Sequence, residues 1–116
     1  MSGIVFFRCT DYESTASFYV ETVGAEVWLD QSACTICRYD NLLFGFCAGE
    51  ETETDGVLTF VTETRAGVDD FYDRLADRAR GEPRRNDEYD IYQFFAEDPD
   101  GRTMEFQTFL HEVDPV

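Results

Sequence analysis

Chemistry-bearing residues are sparse in this chain, and the most suggestive is Glu105. It stands four residues after Gly101 in the run Asp98-Pro99-Asp100-Gly101-Arg102-Thr103-Met104-Glu105-Phe106. Asp-Pro-Asp-Gly is turn chemistry: proline presets φ at the first corner, and glycine accepts the positive φ that closes it. Beyond the turn, strand alternation puts Thr103, Glu105 and Gln107 on one face and Met104, Phe106 and Thr108 on the other. A carboxylate at mid-strand has no packing role, so its face meets either solvent or a site. In a site it would serve as a general base.

The other candidates are weaker. Cys34-Thr35-Ile36-Cys37 has the spacing of a redox or zinc motif, but it sits in a strand-like run, where residues three apart point to opposite faces. Cys9, Cys34, Cys37 and Cys47 are therefore expected to be free structural thiols of a reducing cytoplasm. His111, the only histidine, lies past the last strand beside Glu112 and Asp114 and reads as a solvated terminal residue. Any Ser/His/Asp or Cys/His arrangement would need that same histidine. Arg84-Arg85 reads as a solvated loop pair, and Asp70 with Arg74 as a helical (i, i+4) ion pair.

The elements that must position Glu105 repeat. Gly3 to Cys9 is a strand, and Asp11 caps a helix that presents Ala16, Tyr19, Val20 and Val23 before Gly24 stops it. Strands follow at Glu26 to Asp30, Cys34 to Tyr39 and Leu42 to Cys47, joined at Asp30-Gln31-Ser32 and Asp40-Asn41. After an acidic linker, Val57 to Thr62 is a strand. A helix from about Gly67 to Arg80 presents Val68, Phe71, Leu75 and Ala79. An irregular edge from Glu82 to Tyr89 leads to strands at Ile91 to Ala96 and Arg102 to Leu110. The order is βαβββ twice, module one about 3–49 and module two about 56–111, in a single domain over 1–116. One helix per four strands covers one sheet face and leaves the other to curl or to meet a partner.

Composition narrows the partners. Apolar residues at 43% and aromatics at 16% argue for a packed core. A net charge of −16 repels nucleic acid and anionic membranes, so neither is an expected partner. All nine cations are arginine. An acidic, lysine-free surface suggests a halophilic protein, since the Debye length falls to about 3 Å at 1 M salt. No apolar run approaches the roughly 18 residues of a membrane helix, and the N-terminus carries no signal-like pattern. The expected compartment is the cytoplasm.

Three stretches carry a family resemblance: Phe7-Arg8-Cys9-Thr10-Asp11 leading to Phe18-Tyr19 and Val23-Gly24; Val57 to Thr62 feeding Phe71-Tyr72 and Leu75; and Asp98-Pro99-Asp100-Gly101 with Glu105. In these the chain resembles the vicinal oxygen chelate superfamily, which holds glyoxalase I, extradiol dioxygenases and the bleomycin and fosfomycin resistance proteins. The resemblance implies an α+β fold of paired βαβββ modules forming a curled mixed sheet with an open cleft. It also implies metal-ligand positions on the first, fourth, fifth and eighth strands. Glu105 matches the last, while the first and fifth fall on Ile4 and Val57, and Leu42 to Phe46 offers no ligand. No divalent metal or other cofactor is therefore expected.

If Glu105 lines the concave face, alternation adds Ile4, Phe6 and Arg8 on one flank, Val57, Thr59 and Val61 on another, and Gln93 with Phe95 from the neighbouring strand. That is an apolar pocket with few polar groups, the profile of a small-molecule site. Arg8 is the expected partner of Glu105. The resemblance also implies an anion-holding role for Arg8, as an arginine at this place serves in glyoxalases. The expected protein is a homodimer that binds a small organic molecule without metal. The alternatives are a glyoxalase-type lyase or isomerase with Glu105 as base, and a dimeric structural or interaction module.

Overall fold

The structure is a computed structural model describing Ser2 to Val116. It is an α+β fold of two four-stranded mixed sheets, ordered β1-β4-β3-β2 and β5-β8-β7-β6. The chain divides into two compact units. One holds the residues up to Asp55 together with Asp98–Arg102, and the other holds Gly56–Glu97 and Thr103–Val116.

In the first unit, β1 (Ile4–Cys9) runs parallel to β4 (Leu42–Ala48), which pairs antiparallel with β3 (Cys34–Tyr39), itself antiparallel to the edge strand β2 (Glu26–Gln31). Asp11 caps α1 (Tyr12–Phe18), its side chain accepting from the Ser14 N–H at 3.3 Å. The expected helix continues in a wider form: Tyr19–Val23 is a π-helical turn, closed by Gly24 at φ 95°. Ala16, Tyr19 and Val23 are buried, as are Phe44, Phe46 and Cys37 on the strands. The Tyr19 ring stacks on Phe46 at 5.1 Å and meets Phe44 edge-on at 5.4 Å. The β2–β3 connection is tighter than expected, a two-residue Ser32-Ala33 turn with Ala33 at φ 64°.

The turn Asp98–Arg102 is held by a buried polar network. Asp98 Oδ1 accepts the backbone N–H groups of Asp100 and Arg102, each at 2.9 Å. Oδ2 accepts Arg102 Nη1 at 2.6 Å and the Tyr19 hydroxyl at 2.7 Å. The Arg102 guanidinium lies over Phe7 at 4.8 Å and Phe46 at 5.3 Å. Its Nη2 reaches the Glu53 carbonyl and stands 3.7 Å from Cys9 Sγ, while Nε is buried without a hydrogen-bond partner. Burial, reinforced by the Asp98 carboxylate, pushes the Tyr19 phenol far above its usual range.

In the second unit, β5 (Val57–Val61) runs parallel to β8 (Thr103–Phe109), which pairs antiparallel with β7 (Ile91–Glu97). The irregular edge contains a short strand, β6 (Arg84–Asn86), antiparallel to β7. Thr64 caps α2 (Arg65–Leu75), two residues before the expected start, and a 3-10 turn (Ala76–Arg78) ends it. Val68, Phe71 and Leu75 are buried as expected, whereas Ala79 lies outside the helix, bridged to Ala96. Phe106 is sandwiched by Phe60, Phe71 and Phe94 at 4.5–5.4 Å. Met104, Phe106 and Thr108 face this core, leaving Thr103, Glu105 and Gln107 on the half-buried opposite face.

One expectation is corrected. Cys34 and Cys47 are joined in a disulfide, while Cys9 and Cys37 are free and buried. Cys34 and Cys47 are direct register partners across β3 and β4, so their side chains share a face at bonding distance. A linear reading misses this pair, because nothing local marks which residue of β4 will lie opposite Cys34. Cys37 does point to the other face, and burial, with a smaller push from Asp30, raises its thiol to about 11.

Candidate functional site

β8 is central in its sheet, so Glu105 has neighbours on both sides. Thr59 of β5 and Phe95 of β7 are its direct register partners. Gln93 sits two residues from Phe95, diagonal to Glu105, within reach of a long side chain. The contacts follow that register. Glu105 Oε1 accepts the Thr59 hydroxyl at 2.9 Å, and Oε2 accepts the Gln93 side-chain amide. A carboxylate only accepts, so Gln93 must turn its NH₂ toward Glu105 and leave its carbonyl free. That carbonyl accepts the Asn86 amide at 2.8 Å. The result is a one-way relay, Asn86 to Gln93 to Glu105, with Thr59 donating from the other side.

The donors to Glu105 are neutral. Two hydrogen bonds fix both carboxylate oxygens in place without cancelling their charge, and each oxygen keeps further acceptor capacity. The carboxylate is half-buried and lines a pocket of about 500 Å³. Asn86, Gln93 and Gln107 supply its other polar groups, and Tyr89, Ile91, Phe95 and Phe109 its apolar wall. Volume and lining match a small-molecule site.

The structure thus brings Thr59, Gln93, Phe95 and Glu105 of the expected set together within the second unit. Val57 is exposed at the start of β5. Ile4, Phe6 and Arg8 lie on β1 of the first unit, where the Arg8 backbone N–H donates to Glu53 Oε1 at 2.7 Å. Asn86, Tyr89 and Phe109 escaped the sequence reading. Asn86 lies in the segment read only as an irregular edge, and no local pattern shows that its amide meets Gln93.

The donor set at the implied metal positions does not fit a divalent cation. Ile4 and Val57 carry no donor atom, and neither do the side chains of Leu42–Phe46. Among the described residues, no cluster of three or more His, Cys, Asp or Glu is arranged to hold a metal ion. The remaining expected bystanders are peripheral. His111 is exposed, Arg85 pairs with Asp87 and Asp90, and Arg74 lies over the Phe71 ring at 4.4 Å.

Neither a protein-family model nor a curated protein matches the chain. Solved structures do match in fold. A glyoxalase/bleomycin resistance protein/dioxygenase family enzyme from Burkholderia phytofirmans PsJN aligns with a TM-score of 0.80 at 17% identity, covering 92% of this chain and 97% of its own. An integron cassette protein from the mobile metagenome of the Halifax Harbour sewage outfall gives 0.79 at 17%, covering 94% and 98%. Lactoylglutathione lyase from Agrobacterium tumefaciens gives 0.74 at 14%, covering 93% and 92%. The chain shares the fold of these glyoxalase/bleomycin resistance-type structures. Among the described residues, no helix is long and apolar enough to cross a membrane.

Proposed function

We propose that this protein binds a small organic molecule, without a metal, in the Glu105 pocket of its second unit. The observation that supports the reading best is the held but un-neutralised carboxylate set among aromatic side chains. Its charge and spare lone pairs suit a ligand that presents a cationic nitrogen or an N–H donor, with a flat apolar body against Phe95, Phe109 and Tyr89. The fold's occurrence in a glyoxalase/bleomycin resistance protein supports ligand sequestration as the use of such a pocket.

The reading includes a homodimer. On β2, Val27, Trp28 and Leu29 are all exposed on an edge strand, an apolar stretch that a second copy would cover.

The test is thermal-shift screening of aromatic amines against the wild type, followed by calorimetry on Glu105→Gln and Phe95→Ala. A charge-assisted hydrogen bond contributes about 1.5–3 kcal/mol, so E105Q should weaken a genuine ligand about 10–100-fold. Hits that bind both variants as tightly as the wild type would overturn the site. A second reading uses the same carboxylate as a base in a glyoxalase-type lyase or isomerase. It predicts hemithioacetal turnover that E105Q abolishes.

A further inference from the structure

A second pocket, of about 620 Å³, lies in the first unit and owes nothing to Glu105. Its lining includes Phe6, Arg8, Gln31, Glu53 and both cysteines of the Cys34–Cys47 bond. The register explains the grouping. Arg8 pairs with Cys47 across β1 and β4, and Cys47 with Cys34 across β4 and β3. Three side chains from three adjacent strands therefore stand in one row on one face, at neighbour spacing. The Phe6 ring lies against the strand at Gly45, where an added Cβ would come within 2.6 Å of it. The Arg8 stem lies over Gly49, where an added Cβ would meet the Arg8 Cβ at 2.8 Å. These two contacts place the Phe6 ring and the Arg8 stem on the pocket that the disulfide lines.

Arg8 is exposed and makes no ion pair among the described residues, in a chain of net charge −16. The pocket's other charged group, Glu53, spends one carboxylate oxygen on the Arg8 backbone N–H. Both cysteines of the bond are half-buried and line the pocket. Cys37 lies on the opposite strand face and is fully buried, which keeps it out of any exchange.

From this arrangement we infer that the pocket is a thiol–disulfide exchange site for an anionic low-molecular-weight thiol. The incoming thiol loses its proton to solvent, and its thiolate bonds to Sγ of Cys34. The Cys34–Cys47 bond breaks, and the electron pair leaves on Cys47. Arg8, the register neighbour of Cys47, stabilises that leaving thiolate and attracts the anionic portion of the incoming molecule. Cys47 then takes a proton from water. The product is a mixed disulfide on Cys34, with no net change in oxidation level. A second thiol resolves it, releasing the small disulfide and leaving the protein as a dithiol.

The experiment compares 2-mercaptoethanesulfonate, anionic, with 2-mercaptoethanol, neutral, on the full chain. It uses the lowest salt that preserves the native circular-dichroism spectrum. Mass spectrometry follows the mixed disulfide and peptide mapping locates it. The expected result is an adduct on Cys34, with Arg8→Gln slowing both thiols through the lost leaving-group stabilisation and slowing the anionic thiol about threefold or more beyond the neutral one. Arg8→Lys should restore most of the anionic rate. Equal slowing of both thiols by R8Q would overturn the inference, as would an adduct mainly on Cys47 or four free thiols in air-equilibrated protein. A Cys34→Ser/Cys47→Ser variant that still forms adducts at the same rate would overturn it too, since such adducts would come from air oxidation of Cys9 or Cys37 and not from exchange with the disulfide.

Discussion

Asp98 and Arg102 form an ion pair at 2.6 Å in which both side chains are completely removed from solvent. The pair spans a turn that looks, in the sequence, like an ordinary surface connection. Two backbone N–H groups and the Tyr19 hydroxyl complete the Asp98 coordination, and the guanidinium lies over Phe7 and Phe46. Removing one partner strands a buried charge. Arg102→Met should therefore cost about 3–5 kcal/mol, read as a lowered urea midpoint, and Asp98→Asn a similar amount. A loss below about 1 kcal/mol for R102M would mean that the guanidinium is solvated.

Stability should fall above pH 9. Cys37 moves from 9.0 up to about 11 through burial, and Cys9 moves up for the same reason. Above pH 9 the unfolded chain releases these protons while the folded chain keeps them, so unfolding becomes more favourable as pH rises. Each retained proton costs about 1.4 kcal/mol per pH unit. Urea denaturation between pH 8 and 10 should show this decline, and Cys37→Ala should make it shallower.

At the site, Gln93→Leu leaves Glu105 Oε2 and the Asn86 amide without their partners. A cost of about 1–3 kcal/mol is expected, along with weakened ligand binding. Thr59→Val removes one donor of the two and should cost less. If Q93L left both stability and binding unchanged, the relay would have no role in holding the carboxylate.

The proposed dimer should depend on β2. Trp28→Glu or Leu29→Glu places a charge on the exposed apolar strand and should yield a monomer by light scattering, with secondary structure intact. A wild type that is already monomeric at tens of micromolar would sink the proposal.

Salt should raise the melting temperature well beyond 0.2 M, because screening relieves repulsion among the excess carboxylates of a −16 chain. Full thermal stability in dilute buffer would count against halophilic adaptation.

Much of the fold was legible because it rests on local periodicity and punctuation. Asp11 and Gly24 bound the first helix, and Val68, Phe71 and Leu75 mark the buried face of the second. The alternation that set Glu105 apart from Met104 and Phe106 also held. Turn chemistry located Gly101 at its positive φ of 85°. These features depend on residues a few positions apart, which a linear reading sees directly.

What the tertiary structure alone decided concerns residues far apart in sequence. Thr59 and Gln93 flank Glu105 because β8 lies between β5 and β7, and strand order is not written in any one strand. The same holds for Tyr19 reaching Asp98, and for Cys34 meeting Cys47 beside Arg8. The sequence by itself determined which elements form and which face of each turns inward, since local propensity and burial set both. Which polar groups meet was left to sheet register, a cooperative property of whole strands that settles only when the core has packed.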